Sequence, residues 1–208
     1  MSQSIRYLAL GDSYTVGESL VFEETFPSLL AKKVEKNFHA TVQTTVIAKT
    51  GWRADELFEN MLRQLQNQTH CFELITILIG VNNQYQGVAL EKFLPQLSAI
   101  YDKALQLACK RNRSILMISI PDYFYTQFGQ QSLKREKISS EIDQYNSIVK
   151  DFAAQKNVVF VDITKISRQA LVKENLVAQD HLHPSKHQYE RWVNEEIYEQ
   201  VKSMMEKI

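Results

Sequence analysis

The sequence is poor in the features that would tie it to a nucleic acid, a membrane or a metal ion. Its 208 residues include two cysteines, four prolines and six glycines, and 24 basic residues balance 24 acidic ones to a net charge of zero. A neutral chain lacks the positive field that a nucleic acid or an anionic membrane surface would need. No apolar stretch approaches the roughly 18 residues of a membrane-spanning helix. We therefore expect no nucleic-acid partner and no integral membrane segment.

The two cysteines, Cys71 and Cys109, lie far apart and have no neighbouring ligand pattern. That spacing argues against a zinc site and predicts two ordinary buried thiols, which suit a reducing compartment. The first apolar segment begins within a few residues of Met1, too early for a cleaved signal sequence to precede the fold. The expectation is a cytoplasmic protein without a metal or another cofactor.

Apolar strand-like segments alternate with helical ones along the whole chain. The length fits a single domain over residues 1–208, because a chain of this size buries on the order of 70% of its unfolded surface in one core. The predicted strands are 5–10, 42–48, 74–79, 114–120 and 158–161. The predicted helices are 25–38, 54–65, 90–110, 134–154, a weak one near 166–172 and a last one from about 185. This alternation predicts an α/β protein with three α/β/α layers and a five-stranded parallel sheet in the flavodoxin-like order 2-1-3-4-5.

The first strand ends in a small polar turn that carries a candidate nucleophile, Ser13. Gly51 follows the second strand and Asn82 the third, so all three residues lie at carboxyl ends of strands. In an open α/β sheet those ends converge on the crevice where ligands bind. Simpler roles remain open at this point: Ser13 as a helix cap, Gly51 as a turn residue and Asn82 as an Asx-turn former.

An acid and a histidine near the end of the chain complete a possible catalytic set. A serine hydroxyl becomes a nucleophile when a base within hydrogen-bond reach takes its proton and a third group orients that base. Asp180 and His183 are three residues apart, which on one tight turn places a carboxylate beside an imidazole. The alternatives are Asp180 as a helix cap and His183 as a surface histidine. Oxyanion donors could come from the backbone amides of Ser13 and Gly51 and the side chain of Asn82.

Taken together, these residues resemble the four ordered sequence blocks of the SGNH/GDSL hydrolases. The blocks here are Gly11, Asp12, Ser13; then Gly51; then Gly80, Val81, Asn82; then Asp180, Leu182, His183, Pro184. The resemblance spans nearly the whole chain and implies one SGNH/GDSL-type domain, a lysophospholipase-like serine esterase that works through an acyl-enzyme. It implies Ser13 as nucleophile, His183 as base, Asp180 as orienter, and Ser13, Gly51 and Asn82 as oxyanion donors.

The sequence departs from the family pattern at three positions. Tyr14 stands where the family name has Leu, and we expect its side chain to pack rather than react. Asn83 stands where many members have Asp, so the support of that carboxylate is absent or replaced. His181 takes a position often held by Gly. We prefer His183 over His181 as the base, because Asp180 and the residue adjacent to it do not face each other.

Aromatic residues after the third and fourth strands predict the wall of an acyl or sugar pocket, although aromatic loops also form packing lids. The candidates are Tyr85, Gln84, Tyr123, Phe124, Tyr125 and Phe128, and we favour Tyr85, Tyr123 and Phe124 as substrate-binding residues. Compact loops and zero net charge favour a small, uncharged acyl ester as substrate. The resemblance does not distinguish between short esters, thioesters, lysophospholipids and acetylated sugars as substrates.

Two other functions compete with a serine hydrolase. A flavodoxin-like module could bind a phosphate or nucleotide through Ser13, Thr15 and Gly17, but Asp12 and Glu18 beside that loop oppose an anion. This hypothesis also leaves Asp180 and His183 without a role.

The second competitor is a metal phosphoesterase, which would use Asp12, Asp180 and His183 as ligands. Loss of activity on chelation would be its signature.

Overall fold

A computed structural model of the chain describes residues 3–206, and its centre is a five-stranded parallel sheet in the order β2-β1-β3-β4-β5. The strands are β1 (Gln3–Gly11), β2 (Ala40–Ala48), β3 (Leu74–Leu78), β4 (Ile115–Ile118) and β5 (Val159–Val161). Helices flank the sheet on both faces. The predicted three-layer fold and its strand order are confirmed.

The helices connect successive strands, as right-handed crossovers require. They are α1 (Ser13–Val16), α2 (Phe26–Phe38), α3 (Ala54–Gln64), α4 (Val81–Tyr85), α5 (Leu90–Leu107), α6 (Gln127–Gln130), α7 (Arg135–Lys156), α8 (Thr164–Ser167), α9 (Lys186–Arg191) and α10 (Tyr198–Glu206). A π-helical segment, Trp192–Ile197, joins the last two. The weak helix predicted near 166–172 is shorter and begins earlier, as α8. Within residues 3–206 no helix has the length and apolar character needed to cross a bilayer.

The burial of each strand follows its place in the sheet. Every residue of β3 and β4 is buried, as expected of inner strands that helices cover on both faces. The edge strand β2 instead alternates between half-buried and exposed residues along most of its length. The continuous apolar runs of the sequence therefore mark the inner strands. These buried strands hold the polar turns that follow them in place.

The two cysteines form a disulfide, which corrects the prediction of two buried thiols. Cys71 lies just before β3 and Cys109 just after α5, with their Cα atoms 4.9 Å apart. Phe72 holds them together through backbone bonds: its amide donates to Leu107 at 2.8 Å and its carbonyl accepts from Cys109 at 2.9 Å. These bonds also end α5 earlier than predicted. The disulfide removes the thiol argument for a cytoplasmic location.

The register of the sheet places the polar turns at one level. Gly11 at the end of β1 pairs with Ala48 of β2 on one side and with Leu78 of β3 on the other. The three strands therefore end side by side, and the turns that follow them share one edge of the sheet. Gly11 is required there, because a Cβ atom at this position would collide with the Leu78 carbonyl and the Thr15 side chain.

Candidate active site

Ser13 is the first residue of α1, directly after the carboxyl end of β1. Asp12, rather than Ser13, caps this short helix: its side chain accepts from the amide of Tyr14 at 3.0 Å. The hydroxyl of Ser13 is consequently not used as a cap. Its side chain borders the crevice above the sheet while the residue stays 4% exposed.

Asp180 and His183 lie on one turn before α9, and that turn is closed by the aspartate side chain. Asp180 Oδ1 accepts from the backbone amides of Leu182 at 3.0 Å and His183 at 2.9 Å. Asp180 Oδ2 lies 2.6 Å from His183 Nδ1, and His183 Nε2 lies 2.9 Å from Ser13 Oγ. The structure thus brings Ser13, His183 and Asp180 into one hydrogen-bonded series. The cap of α9 is Ser185 and not Asp180, and His183 is buried, so neither alternative role describes this turn.

His183 is 7% exposed and packs against the ring of Tyr14, with the ring centroids 5.1 Å apart. Tyr14 is itself buried, and its carbonyl accepts from the hydroxyl of Tyr189 at 2.9 Å. The aromatic residue that replaces the family's usual leucine therefore supports the imidazole from the side. The Tyr14 ring fills space beside His183, and the Tyr14 carbonyl links α1 to α9.

His181 occupies the same turn, but the hydrogen bonds to the Asp180 carboxylate come from Ser19, Leu182 and His183 and not from the His181 side chain. Its backbone φ is 62°, in the left-handed region that favours glycine. Its carbonyl accepts from the amide of Phe128 at 3.2 Å. The backbone conformation gives a physical reason for a glycine at this position in related sequences, and the imidazole here is exposed.

Hydrogen bonds keep Asp180 ionised. Burial of the carboxyl group raises its pKa, but bonds from the Ser19 hydroxyl, from the Leu182 amide and from His183 outweigh that effect and lower the pKa to about 2. A carboxylate that stays charged can hold one tautomer of the imidazole and stabilise its protonated form.

Ser13, Gly51 and Asn82 line one cavity and differ in how their amide groups are hydrogen-bonded. Among the described residues, the amides of Ser13 and Gly51 donate to no protein acceptor. Gly51 has a φ of 86°, which a residue with a Cβ adopts only with strain. Asn82 Nδ2 donates to the Trp52 carbonyl at 3.1 Å and lies 3.4 Å from Asp12 Oδ2. Because 3.4 Å is longer than a normal N–H···O bond, one hydrogen of Asn82 is only weakly held.

Asp12 carries the most perturbed carboxyl group near this crevice. The residue is fully buried, and burial raises its pKa to about 7 against the lowering effect of the Tyr14 amide and Asn82. It is therefore poised between its neutral and charged forms near neutral pH.

The crevice contains a small cavity of about 170 Å³. Its lining consists of Ser13, Tyr14, Thr50, Gly51, Val81, Asn82, Tyr85, Tyr123, Phe128, Leu182 and His183. The rings of Tyr85, Tyr123 and Phe128 form a triangle with centroids 6.2 to 6.4 Å apart. Three of the six predicted wall residues, Tyr85, Tyr123 and Phe128, therefore border the cavity, whereas Gln84, Phe124 and Tyr125 do not.

Phe124, which the sequence favours as a substrate-binding residue, is not among the residues that line the cavity. Its ring packs against Tyr125 at a centroid distance of 5.1 Å. Its backbone amide donates to the side chain of Asp122 at 3.1 Å, within a short 3₁₀ turn, Tyr123–Tyr125. Tyr123 of this turn and Phe128 of α6 thus contribute to the wall, while Phe124 packs against Tyr125 away from the cavity lining.

Asn83 replaces the missing carboxylate with a paired amide. The residue is fully buried, and its oxygen accepts from the backbone amide of Ala54 at the start of α3 at 2.9 Å. Its nitrogen donates to Gln96 Oε1 at 2.9 Å. An aspartate would offer the same acceptor to Ala54, and Gln96 accounts for the additional N–H of the asparagine.

Sequence reasoning missed one contact at Asp180. Ser19 Oγ donates to Asp180 Oδ2 at 2.7 Å, across 161 positions of sequence. Nothing in the sequence around Ser19 signals this contact, because it depends on how the loop after α1 meets the turn before α9.

The ligand atoms of Asp12, Asp180 and His183 do not form a group close enough to share a metal ion. Within residues 3–206 the one group of side chains that meets this test is Cys71, Glu73 and Cys109, and its two sulfurs form the disulfide. The ligand set of the phosphoesterase hypothesis is thus not assembled by this fold.

The model of a GDSL-like lipase/acylhydrolase family matches residues 9–191. The chain belongs to this family. Membership identifies it as an ester hydrolase of the GDSL class. A comparison with curated proteins finds no match.

Solved structures of a lipolytic protein and of two esterases share this fold over nearly their whole length. A lipolytic G-D-S-L family member from Veillonella parvula DSM 2008 is 14% identical, with a TM-score of 0.74 and coverage of 98% of this chain and 99% of that one. The esterase EstA from Pseudoalteromonas sp., in a structure inhibited by monoethylphosphonate, is 16% identical, with a TM-score of 0.68 and 97% of each chain covered. An acetylxylan esterase from Geobacillus stearothermophilus is 16% identical, with a TM-score of 0.67 and coverage of 98% and 95%. At these identities the likeness concerns the fold.

Proposed function

We propose that the protein hydrolyses carboxylic esters of small acyl groups through an acyl-enzyme formed on Ser13. The observation that carries the proposal is the series from Ser13 Oγ to His183 Nε2, 2.9 Å, and from His183 Nδ1 to Asp180 Oδ2, 2.6 Å. Both distances are those of hydrogen bonds, and their order matches a nucleophile, a base and an orienting acid.

In the acylation step, His183 Nε2 accepts the proton of the Ser13 hydroxyl while Oγ attacks the ester carbonyl carbon. Asp180 stabilises the resulting imidazolium and keeps its ring oriented, since its low pKa leaves it charged. The tetrahedral intermediate then collapses, and His183 gives its proton to the departing alcohol. Water repeats the sequence on the acyl-enzyme and releases the carboxylic acid.

The negative charge of the tetrahedral intermediate requires donors that are already in place. The unpaired amides of Ser13 and Gly51 would supply two, and the weakly held hydrogen of Asn82 a third. Since Trp52 fixes the other hydrogen of Asn82, the amide does not have to reorganise during the reaction. Loss of one such donor costs roughly 10² to 10³ in turnover.

The dimensions of the cavity support a short acyl group. A volume of about 170 Å³ is small beside the roughly 300 to 1,000 Å³ of typical ligand pockets. The ring triangle of Tyr85, Tyr123 and Phe128 closes it on one side. We therefore favour acetyl and similarly short esters over long-chain lipids.

The test is covalent labelling with a fluorophosphonate, read as intact-protein mass, together with hydrolysis of p-nitrophenyl acetate. We expect one adduct and ester hydrolysis in the wild type, and loss of both in Ser13→Ala. Ser140→Ala is the matched control, because the Ser140 hydroxyl is exposed and donates to the Lys137 carbonyl on α7. An unlabelled, folded wild type without esterase activity would rule the proposal out. A parallel series with p-nitrophenyl butyrate, p-nitrophenyl octanoate and acetyl thioesters defines the acyl and ester preference.

A further inference from the structure

Asp180 Oδ2 accepts hydrogen bonds from two side chains. One donor is His183 Nδ1 at 2.6 Å, and the other is Ser19 Oγ at 2.7 Å. The second oxygen, Oδ1, is taken by the backbone amides of Leu182 and His183. Among the described residues, Ser19 is therefore the one donor to Asp180 that lies outside the turn carrying the acid and the histidine.

The chain holds Ser19 in an unfavourable backbone conformation to make this contact. Its φ is 71°, in the left-handed region where residues with a Cβ other than Asn and Asp are uncommon. Gly17, two residues before Ser19, also has a positive φ, 77°, and its carbonyl accepts from the amide of Leu20 at 3.0 Å. Strained residues that persist in a fold cluster at functional sites. Here the strain turns the Ser19 side chain towards Asp180.

The same loop also contacts the other parts of the proposed site. The amide of Glu18 donates to the carbonyl of the nucleophile Ser13 at 3.1 Å. The Glu18 carboxylate accepts a hydrogen bond from the hydroxyl of Thr50, the residue before Gly51. Adjacent residues, Glu18 and Ser19, thus link the nucleophile turn, the Gly51 turn and the acid of the series.

We propose that Ser19 is a positioning residue for Asp180, which rests on the esterase function proposed above. Its hydroxyl fixes Oδ2 on the line to His183 Nδ1, so the imidazole keeps the orientation in which Nε2 faces Ser13. Without that donor, Oδ2 keeps only its bond to His183 Nδ1, so the carboxylate is held less firmly on this side and fewer molecules hold the base in reach of the nucleophile. The effect belongs to the chemical step and leaves the acyl cavity, which Ser19 does not line, as it is.

Two substitutions separate this role from a purely structural one. Ser19→Gly removes the hydroxyl and also relieves the left-handed backbone, so the variant should unfold at the same temperature as the wild type or higher. Ser19→Asn accepts the left-handed conformation and keeps a donor, the side-chain amide. Both are measured by kcat and KM for p-nitrophenyl acetate and by thermal unfolding, with Ser140→Ala as the control.

We expect kcat to fall roughly three- to ten-fold in Ser19→Gly, with KM unchanged, which is the range for the loss of one hydrogen bond. Ser19→Asn should recover most of kcat. A folded Ser19→Gly variant with the kcat of the wild type overturns the inference. A change in KM alone, or an equal loss of kcat in Ser19→Gly and Ser19→Asn, also overturns it. If Ser19→Gly does not fold, Ser19→Ala provides the comparison without the hydroxyl. An inactive wild type overturns the esterase proposal itself and is recognised by its failure to react with the fluorophosphonate.

Discussion

The side chain of Asn83 joins two helices, because its oxygen accepts from the amide of Ala54 at the start of α3 and its nitrogen donates to Gln96 of α5. Both bonds are 2.9 Å long, and Asn83 is fully buried. The residue directly follows Asn82, so this pair of bonds also anchors the helix that carries a proposed oxyanion donor.

Removal of the Asn83 side chain should reduce stability. Asn83→Ala leaves the Ala54 amide and Gln96 without their partner, and an unsatisfied buried polar group costs about 1 to 3 kcal/mol. We expect a loss of about 2 kcal/mol in the free energy of unfolding, measured with urea. Gln96→Ala breaks one of the two bonds at a half-buried residue and should cost less. An Asn83→Ala variant as stable as the wild type would contradict this role.

The raised pKa of Asp12 predicts a pH-dependent contribution to stability. The unfolded carboxyl group has a pKa near 3.9, whereas burial raises that of the folded group to about 7. Between these values the folded state binds more protons, so the contribution of Asp12 to stability falls as pH rises from about 4 to about 7. Asp12→Asn lacks this titration. Relative to the wild type, the free energy of unfolding of Asp12→Asn should therefore increase between about pH 4 and about pH 7, by an amount on the order of 4 kcal/mol. Parallel curves for the two proteins would refute the prediction.

Substitution of the two histidines in the turn before α9 should affect different properties of the protein, activity for His183 and stability for His181. His183→Ala removes the proposed base, and we expect turnover of p-nitrophenyl acetate to fall by at least about a thousand-fold. His181→Gly relieves a φ of 62° and should raise the free energy of unfolding by about 1 kcal/mol with activity kept. A larger loss of activity in His181→Gly than in His183→Ala would assign the role of base to His181 and not to His183.

Phe128 and Phe124 provide a matched pair for the acyl cavity. Phe128 lines the cavity and Phe124 does not, although both are aromatic and lie in the same segment. Phe128→Ala should raise kcat/KM for p-nitrophenyl butyrate relative to acetate, by about four-fold for each additional CH₂ that becomes buried. Phe124→Ala should leave that ratio unchanged. Equal ratios in both variants would place the acyl group elsewhere.

The fold was largely predictable because its signals are local. Short apolar runs bounded by polar turns mark strands, and the alternation with helical segments predicts their parallel order. The meeting of Ser13, Gly51 and Asn82 at one cavity follows from the same rule, since parallel strands end at a common edge. The proximity of Asp180 and His183 follows from their spacing on one turn.

The remaining features depend on contacts between distant segments. The disulfide forms because Phe72 pairs with the end of α5, and no pattern near either cysteine shows this. The bond from Ser19 to Asp180 depends on how two loops meet. Phe124 was expected in the cavity wall because a 3₁₀ turn and an open loop cannot be distinguished in an aromatic stretch.

The disulfide between Cys71 and Cys109 closes a covalent ring of backbone that contains β3, α4 and α5. Asn82 and Tyr85 lie on this ring, whereas Ser13 and His183 lie outside it. A protease that cuts one peptide bond inside the ring leaves the protein as a single covalent molecule, but a cut elsewhere divides it in two. After a break in its own backbone, both halves of the segment that carries a proposed oxyanion donor and part of the cavity wall therefore stay covalently joined to the rest of the protein.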